Sequence, residues 1–373
     1  MNNLKIKLFM IFTDKNINIK KFFYFLYIVL LAPLLFYFTS CGQDAVVNNN
    51  NNNEIPVVDS NFFSWSYVPV PGWNFYDCYI ADTNAIFYVL DEKVFYYDGN
   101  TSIQIENGLK GEALCIDGIG TNLIYVGGRF NENNRYRPFL KKWTGAVFED
   151  ISLPLDSNDQ VWDVCVENSN SVWFAGRSGR IYHYDGMSVT PYFIDLPNTY
   201  PYLFLKDNQI YYFTQRLQPY KVCYVYKFNA NNWQLVNADT INYSLVFSGS
   251  HFVNFGNYAL RKAPGYLMEF NNQNWMPFVN TPTFEAYSVS GNNLSDFLCI
   301  GIPEGTLEFF PYYYNGEKWF KQDRAIPENI FYGFPVELKY CKGVYYGFYY
   351  AIELVNHNYI LVGKMNTPPK QNL

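Results

Sequence analysis

The sequence predicts an all-β chain, a seven-bladed β-propeller of four-stranded antiparallel blades closed by its N-terminal strand. Two recurring turns and one aromatic pattern carry that reading. The first turn reads FYYDGN at 95–100, KKWTGA at 141–146, YHYDGM at 182–187, YKFNAN at 226–231, MEFNNQ at 268–273 and YYYNGE at 312–317. Its turn residues, Asp98, Thr144, Asp185, Asn229, Asn271 and Asn315, lie 41 to 46 residues apart, the period of a four-stranded blade. An aromatic residue precedes each turn: Tyr97, Trp143, Tyr184, Phe228, Phe270 and Tyr314. Asp-Gly and Asn-Gly between alternating apolar runs mark tight hairpins.

A second turn comes earlier in each unit: 81–84, 118–122, 167–170, 206–209, 248–250, 290–293 and 341–343. That gives seven first hairpins against six second ones. The last unit stops at YILVGKMN, 359–366, one strand short. SWSYVPV, 64–70, has the character of the missing strand, with Trp65 standing where Trp233 and Trp319 stand. Glycines after the second strand (Gly127, Gly176, Gly256, Gly301 and Gly347) suit bulges or close backbone approach.

Composition agrees. With 20% aromatic residues, 35 Tyr and 33 Phe among 373, the chain has ample apolar surface and favours strands, although an AT-rich genome would also produce it. A net charge of -6 argues against wholesale nucleic-acid binding. Nothing suggests a cofactor or metal, and a monomer is expected.

The first 21 residues carry Lys5, Lys7, Lys15, Lys20 and Lys21, and residues 22–38, FFYFLYIVLLAPLLFYF, are uncharged and apolar. Basic region, apolar core and small residues before a cut is the signal-peptide order. Thr39-Ser40-Cys41 resembles the lipobox of bacterial lipoproteins, which implies that Cys41 is lipidated and becomes the mature first residue. An uncleaved anchor is the alternative reading. The expected organisation is a signal peptide at 1–40, an Asn-rich disordered tether at 41–60, the propeller at 61–367 and a tail at 368–373, placed in the cell envelope facing out of the cytoplasm. Residues 161–187, VWDVCVENSNSVWFAGRSGRIYHYDGM, resemble the blade pattern of bacterial lipoprotein propellers, and IYVGG at 124–128 is similar to kelch-type repeats. The resemblance implies a fold and no activity.

Six cysteines follow Cys41. Cys78, Cys115 and Cys165 fall at similar points of successive units, so they are expected at one repeated site as buried free thiols.

In a meander, the a–b and c–d turns share one face, and the b–c and d–a loops share the other. Of eight arginines, seven fall in stretches read as b–c loops: Arg129, Arg135, Arg137, Arg177, Arg180, Arg216 and Arg261. Planar guanidinium forks suit carboxylate, phosphate or sulfate, so this face is expected to recognise an acidic glycan, a lipid headgroup or a protein partner. The competing expectation is neutralisation by acids of the d–a loops, among them Glu112, Asp156, Asp159, Asp195 and Asp239. Asp77, Asp117 and Asp163 are expected on first strands, lining the channel, where they suggest a carbohydrate-active enzyme. No Ser/His/Asp order or paired His ligands are visible, so a binding or scaffolding module leads, with the enzyme and an outer-membrane assembly accessory as alternatives.

Overall fold

The computed structural model describes residues 57–60, 62–72, 74–106, 108–133, 135–154, 159–196, 200–216, 222–240, 252–263, 266–281, 284–303, 306, 308–322, 333–351 and 357–366. Residues 1–56, with Cys41 and the Asn run, lie outside them. The described residues form seven four-stranded antiparallel blades in a ring, a seven-bladed β-propeller.

Strands a to d are lettered from the channel outwards, and in blades 1 to 6 they follow chain order. Blade 1 is Phe75–Asp82, Ala85–Leu90, Lys93–Tyr97 and Ser102–Ile105. Blade 2 is Glu112–Ile119, Leu123–Glu132, Arg135–Trp143 and Phe148–Ile151. Blade 3 is Val161–Asn168, Ser171–Gly176, Arg180–Tyr184 and Val189–Phe193. Blade 4 is Tyr200–Lys206, Gln209–Arg216, Val222–Asn229 and Asn232–Thr240. Blade 5 is Phe252–Phe255, Tyr258–Ala263, Tyr266–Asn271 and Asn274–Asn280. Blade 6 is Phe284–Asn293, Asp296–Pro303, Phe310–Tyr314 and Trp319–Gln322. Blade 7 takes Gly333–Cys341, Val344–Ala351 and His357–Met365 from the C-terminal end, and Phe63–Pro71 from the N-terminal end as its strand d.

The turn chemistry explains the repeat. In blades 1, 3 and 6 the turn residue's side chain accepts two backbone N–H groups; Asp98 takes those of Asn100 and Thr101, both at 2.8 Å. The preceding tyrosine closes the loop, its hydroxyl donating to the glycine carbonyl two residues on (Tyr97 to Gly99 at 2.7 Å). Blades 4 and 5 instead use two-residue turns, with Ala230, Asn231, Asn272 and Gln273 all at positive φ, a geometry that matches strand twist.

Directly across the c–d turns of blades 2 to 6 sits one layer of the core. Its pairs are Trp143 with Phe148, Tyr184 with Val189, Phe228 with Trp233, Phe270 with Trp275 and Tyr314 with Trp319. Trp65 occupies the same place in blade 7, opposite Gly363, whose lack of a side chain makes room for the indole. Between blades, clusters of buried apolar residues form the core; Phe63 packs edge-to-face on Tyr313 and Tyr345, joining blades 6 and 7.

The structure differs from expectation in four places. Val57–Ser60, within the stretch read as tether, is a strand paired parallel to Trp319–Gln322 on the outer edge of blade 6. The chain thus joins the ring beside the c–d turn of blade 6, on the face opposite the b–c loops. The first hairpin of blade 5 turns at Gly256 and Asn257, not at 248–250, which lie outside the described residues. Gly256, at a φ of 54°, supplies that left-handed turn. The six cysteines among the described residues are free, but Cys78, Cys115 and Cys165 do not share one site: Cys115 pairs with Gly127, Cys78 with Tyr88 and Cys165 with Trp173, at successive steps along their strands. Finally, the arginines stand mostly on strands, as follows.

Candidate functional site

By the meander topology the b–c and d–a connections lie at one mouth of the channel, and the geometry of the inner strands decides what the described residues show there. In blades 1, 2, 3, 6 and 7 strand a carries a β-bulge near its start, between Phe75 and Asp77, Ala113 and Cys115, Val161 and Asp163, Ala286 and Ser288, and Pro335 and Glu337. A bulge leaves one residue without a cross-strand partner and re-aims it. In blade 3 that residue is Trp162, half-buried at the mouth.

Arg129, Arg135 and Arg137 lie on the long b–c hairpin of blade 2. Arg129 is fully engaged: Nε donates to Glu112, Nη2 to Glu92 at 3.0 Å and Nη1 to Gln160 at 2.9 Å, over the ring of Tyr136. Arg137 pairs with Glu132 at 3.3 Å, and Arg135 begins the third strand, exposed. Arg261 belongs to the second strand of blade 5 because the turn lies at 256–257; it is buried, paired with Asp239 at 2.6 Å and stacked on Trp275. Arg180 opens the third strand of blade 3 and has a partner of its own. Arg216 ends the second strand of blade 4; its side chain lies outside the described residues.

Arg177 is different. Its guanidinium carbon sits 5.2 Å from the centre of the Trp162 ring and 5.1 Å from that of Tyr200, two rings that meet edge to face. Among the described residues no carboxylate pairs with it. Asp159, which lies against the flanking Gly176 and Ser178, is committed elsewhere: it is buried and accepts from the backbone N–H and hydroxyl of Ser178 and from the N–H of Gln160. Gly176 leaves space for that carboxylate. Sequence reasoning weighed Asp159 as a counter-ion for the arginines; it is instead the pin that fixes the loop carrying one of them. Neutralisation therefore holds for Arg129 and Arg261 and not for Arg177.

Deeper in, Asp77, Asp117 and Asp163 line the channel from the inner strands of blades 1, 2 and 3. Each accepts a backbone N–H from the inner strand of the next blade: Asp77 from Ile116 at 2.8 Å, Asp117 from Val166 at 2.7 Å, and Asp163 from Leu203. They are inter-blade staples. Glu337 and Lys339 of blade 7, paired at 2.6 Å, complete the cluster and were not singled out from sequence. Burial pushes Asp163 up to about 8 and Asp117 up to about 6, against backbone N–H bonds that act the other way. Asp77 is raised too, by burial and then by the charge of Glu337. His183 stacks on Trp173 with centroids 4.1 Å apart and bonds Ser171 at 2.8 Å, on strands away from these acids.

No protein-family model and no curated protein matches the chain. Solved structures do. It is similar to YCF48 bound to a D1 peptide (12% identity, 84% of this chain, 100% of that chain, TM-score 0.56). It is also similar to the WD40 β-propeller domain of Doa1 (8%, 82%, 98%, 0.52) and to the extracellular domain of the hybrid two component system BT4673 of B. thetaiotaomicron (13%, 81%, 39%, 0.50). At such identities the likeness concerns the fold.

Proposed function

We propose that this chain is a membrane-tethered, extracytoplasmic binding module that holds an anionic ligand or protein partner on its b–c loop face. One observation carries the reading: on a rigid seven-bladed ring, a guanidinium without a carboxylate partner among the described residues is held on an aromatic platform at the channel mouth. Function on a stable scaffold concentrates in such loops. The face lies opposite the end at which Val57 pairs with Trp319 on the outer edge of blade 6. A propeller of the same fold was solved with a peptide, and another forms an extracellular domain; both support the reading by analogy.

The channel acids favour binding over catalysis, because three of the four carboxylates are turned onto neighbouring backbone. Full-length protein in detergent, applied to glycan and peptide arrays, is expected to bind without turnover. Polysaccharide cleavage that Asp163→Asn abolishes would replace this reading with the enzyme.

Tethering has its own test. Cys41→Ser is expected to remove metabolic fatty-acid labelling and leave an unprocessed precursor. Labelling that persists in that variant rules out the lipobox reading.

A further inference from the structure

We infer that Arg177, with Trp162 and Tyr200, forms a seat for one peptide carboxylate; the inference rests on the binding-module reading and narrows its ligand. The guanidinium carbon sits over both rings, at 5.2 and 5.1 Å, and with the ring centres 6.1 Å apart both lie to one side of it; among the described residues no hydrogen bond or ion pair takes its N–H groups, which are left to donate. That planar fork matches the two oxygens of a carboxylate. The seat is built before the ligand arrives. Asp159 holds Ser178 and Gln160 on either side, Gly179 N–H reaches the Gly176 carbonyl at 3.3 Å, and Ile194 N–H reaches the Gly179 carbonyl at 2.9 Å. A fixed loop keeps down the ordering cost of binding.

Local charge selects among anions. Arg129 reaches Gln160, two residues from Trp162, and brings Glu92 and Glu112 with it. Two carboxylates thus flank Arg129, and a third, Asp159, bonds Ser178 next to Arg177. Sulfated chains, phosphorylated segments or anionic lipid surfaces carry several charges and meet repulsion from those acids. A single carboxylate needs one fork, and one is on offer. A sugar ring stacks on an open aromatic face, and the guanidinium already occupies one face of each of these rings. The favoured occupant is therefore a polypeptide that presents one carboxylate, from its C-terminus or from one Asp or Glu side chain.

The test uses full-length protein in detergent and decapeptide arrays printed in three matched forms: free C-terminus, C-terminal amide, and amide with one internal Glu. Heparin and anionic phosphatidylglycerol vesicles serve as polyanions. Bound peptides are expected to prefer a carboxylate form over the neutral amide at least tenfold. The preferred form, terminal or internal, identifies the source. Arg177→Gln should erase the preference with the melting point unchanged, Arg177→Lys should restore it only in part, and Arg137→Gln on the same face should leave it intact. A preference that survives Arg177→Gln, peptide binding indifferent to the carboxylate, or binding only to heparin or vesicles overturns the seat while leaving the binding module standing. If nothing on either array binds, both readings fall.

Discussion

Excision of Phe63–Pro71 from the full chain is expected to remove the cooperative unfolding transition at the parent's midpoint. The strand is the fourth of blade 7, paired along its length with His357–Met365. Phe63, 2% exposed, plugs the contact between blades 6 and 7, and Val70, also 2% exposed, packs between blades 7 and 1. The indole of Trp65 covers Gly363. Truncating a buried aromatic side chain alone costs about 3–5 kcal/mol. Losing two aromatics and a valine together rivals the whole net stability of a typical domain, about 5–15 kcal/mol. The cut also exposes Ile360, Leu361 and Val362 on an open sheet edge, which invites aggregation. Calorimetry on the excised chain checks this, with Tyr67→Ala as control, since Tyr67 is 48% exposed and should shift stability by less than about 0.5 kcal/mol. An excised chain that melts like its parent would place these residues outside the ring.

That closure was legible in the sequence because it rests on local chemistry. Turn residues with fixed side-chain roles, an aromatic before each and a large apolar residue four positions on repeat often enough to count blades and notice one strand short. What failed was equally local. In blade 5 the turn uses Gly256-Asn257 inside HFVNFGNYALRKA, a stretch that also reads as a strand ending in glycine. Placing the turn one strand too early pushed Arg261 into a loop, whereas it is a buried partner of Asp239. The site was legible in part. Arg177 and the channel acids could be named, because residue type and position along the repeat suggest them. Trp162 and Tyr200 could not, because a bulge that re-aims an indole leaves no mark in the residue pattern. Nor do the staples: the partner of Asp163 is a backbone N–H 40 residues on, and every residue but proline has one.

The staples make stability depend on pH in an unusual direction. Most carboxylates in folded proteins gain from ionisation, so stability falls in acid. Asp163 is held at about 8 by burial, with the charge of Asp117 adding to it and that of Lys339 opposing it. The folded chain then keeps a proton that the unfolded chain releases above about pH 4. Where the folded state binds more protons, stability falls as pH rises, here between about 4 and 8. Asp117, at about 6, adds to the slope below that value, and Asp77, raised beside Glu337, acts in the same sense. Asp163→Asn retains an oxygen for the Leu203 N–H and cannot ionise. It should match the parent near pH 4 and exceed it by about 1–3 kcal/mol at pH 8, with a shallower slope between. Asp163→Ala removes the acceptor as well, and should lose about 1–3 kcal/mol near pH 4, where the parent's acid is neutral, because a half-buried N–H is left without a partner. Urea denaturation of the three proteins across pH 4–9 decides it. Parallel curves for the parent and Asp163→Asn would mean that the carboxylate is ionised in the fold at neutral pH, and that channel water, rather than the neighbouring blade, sets its charge.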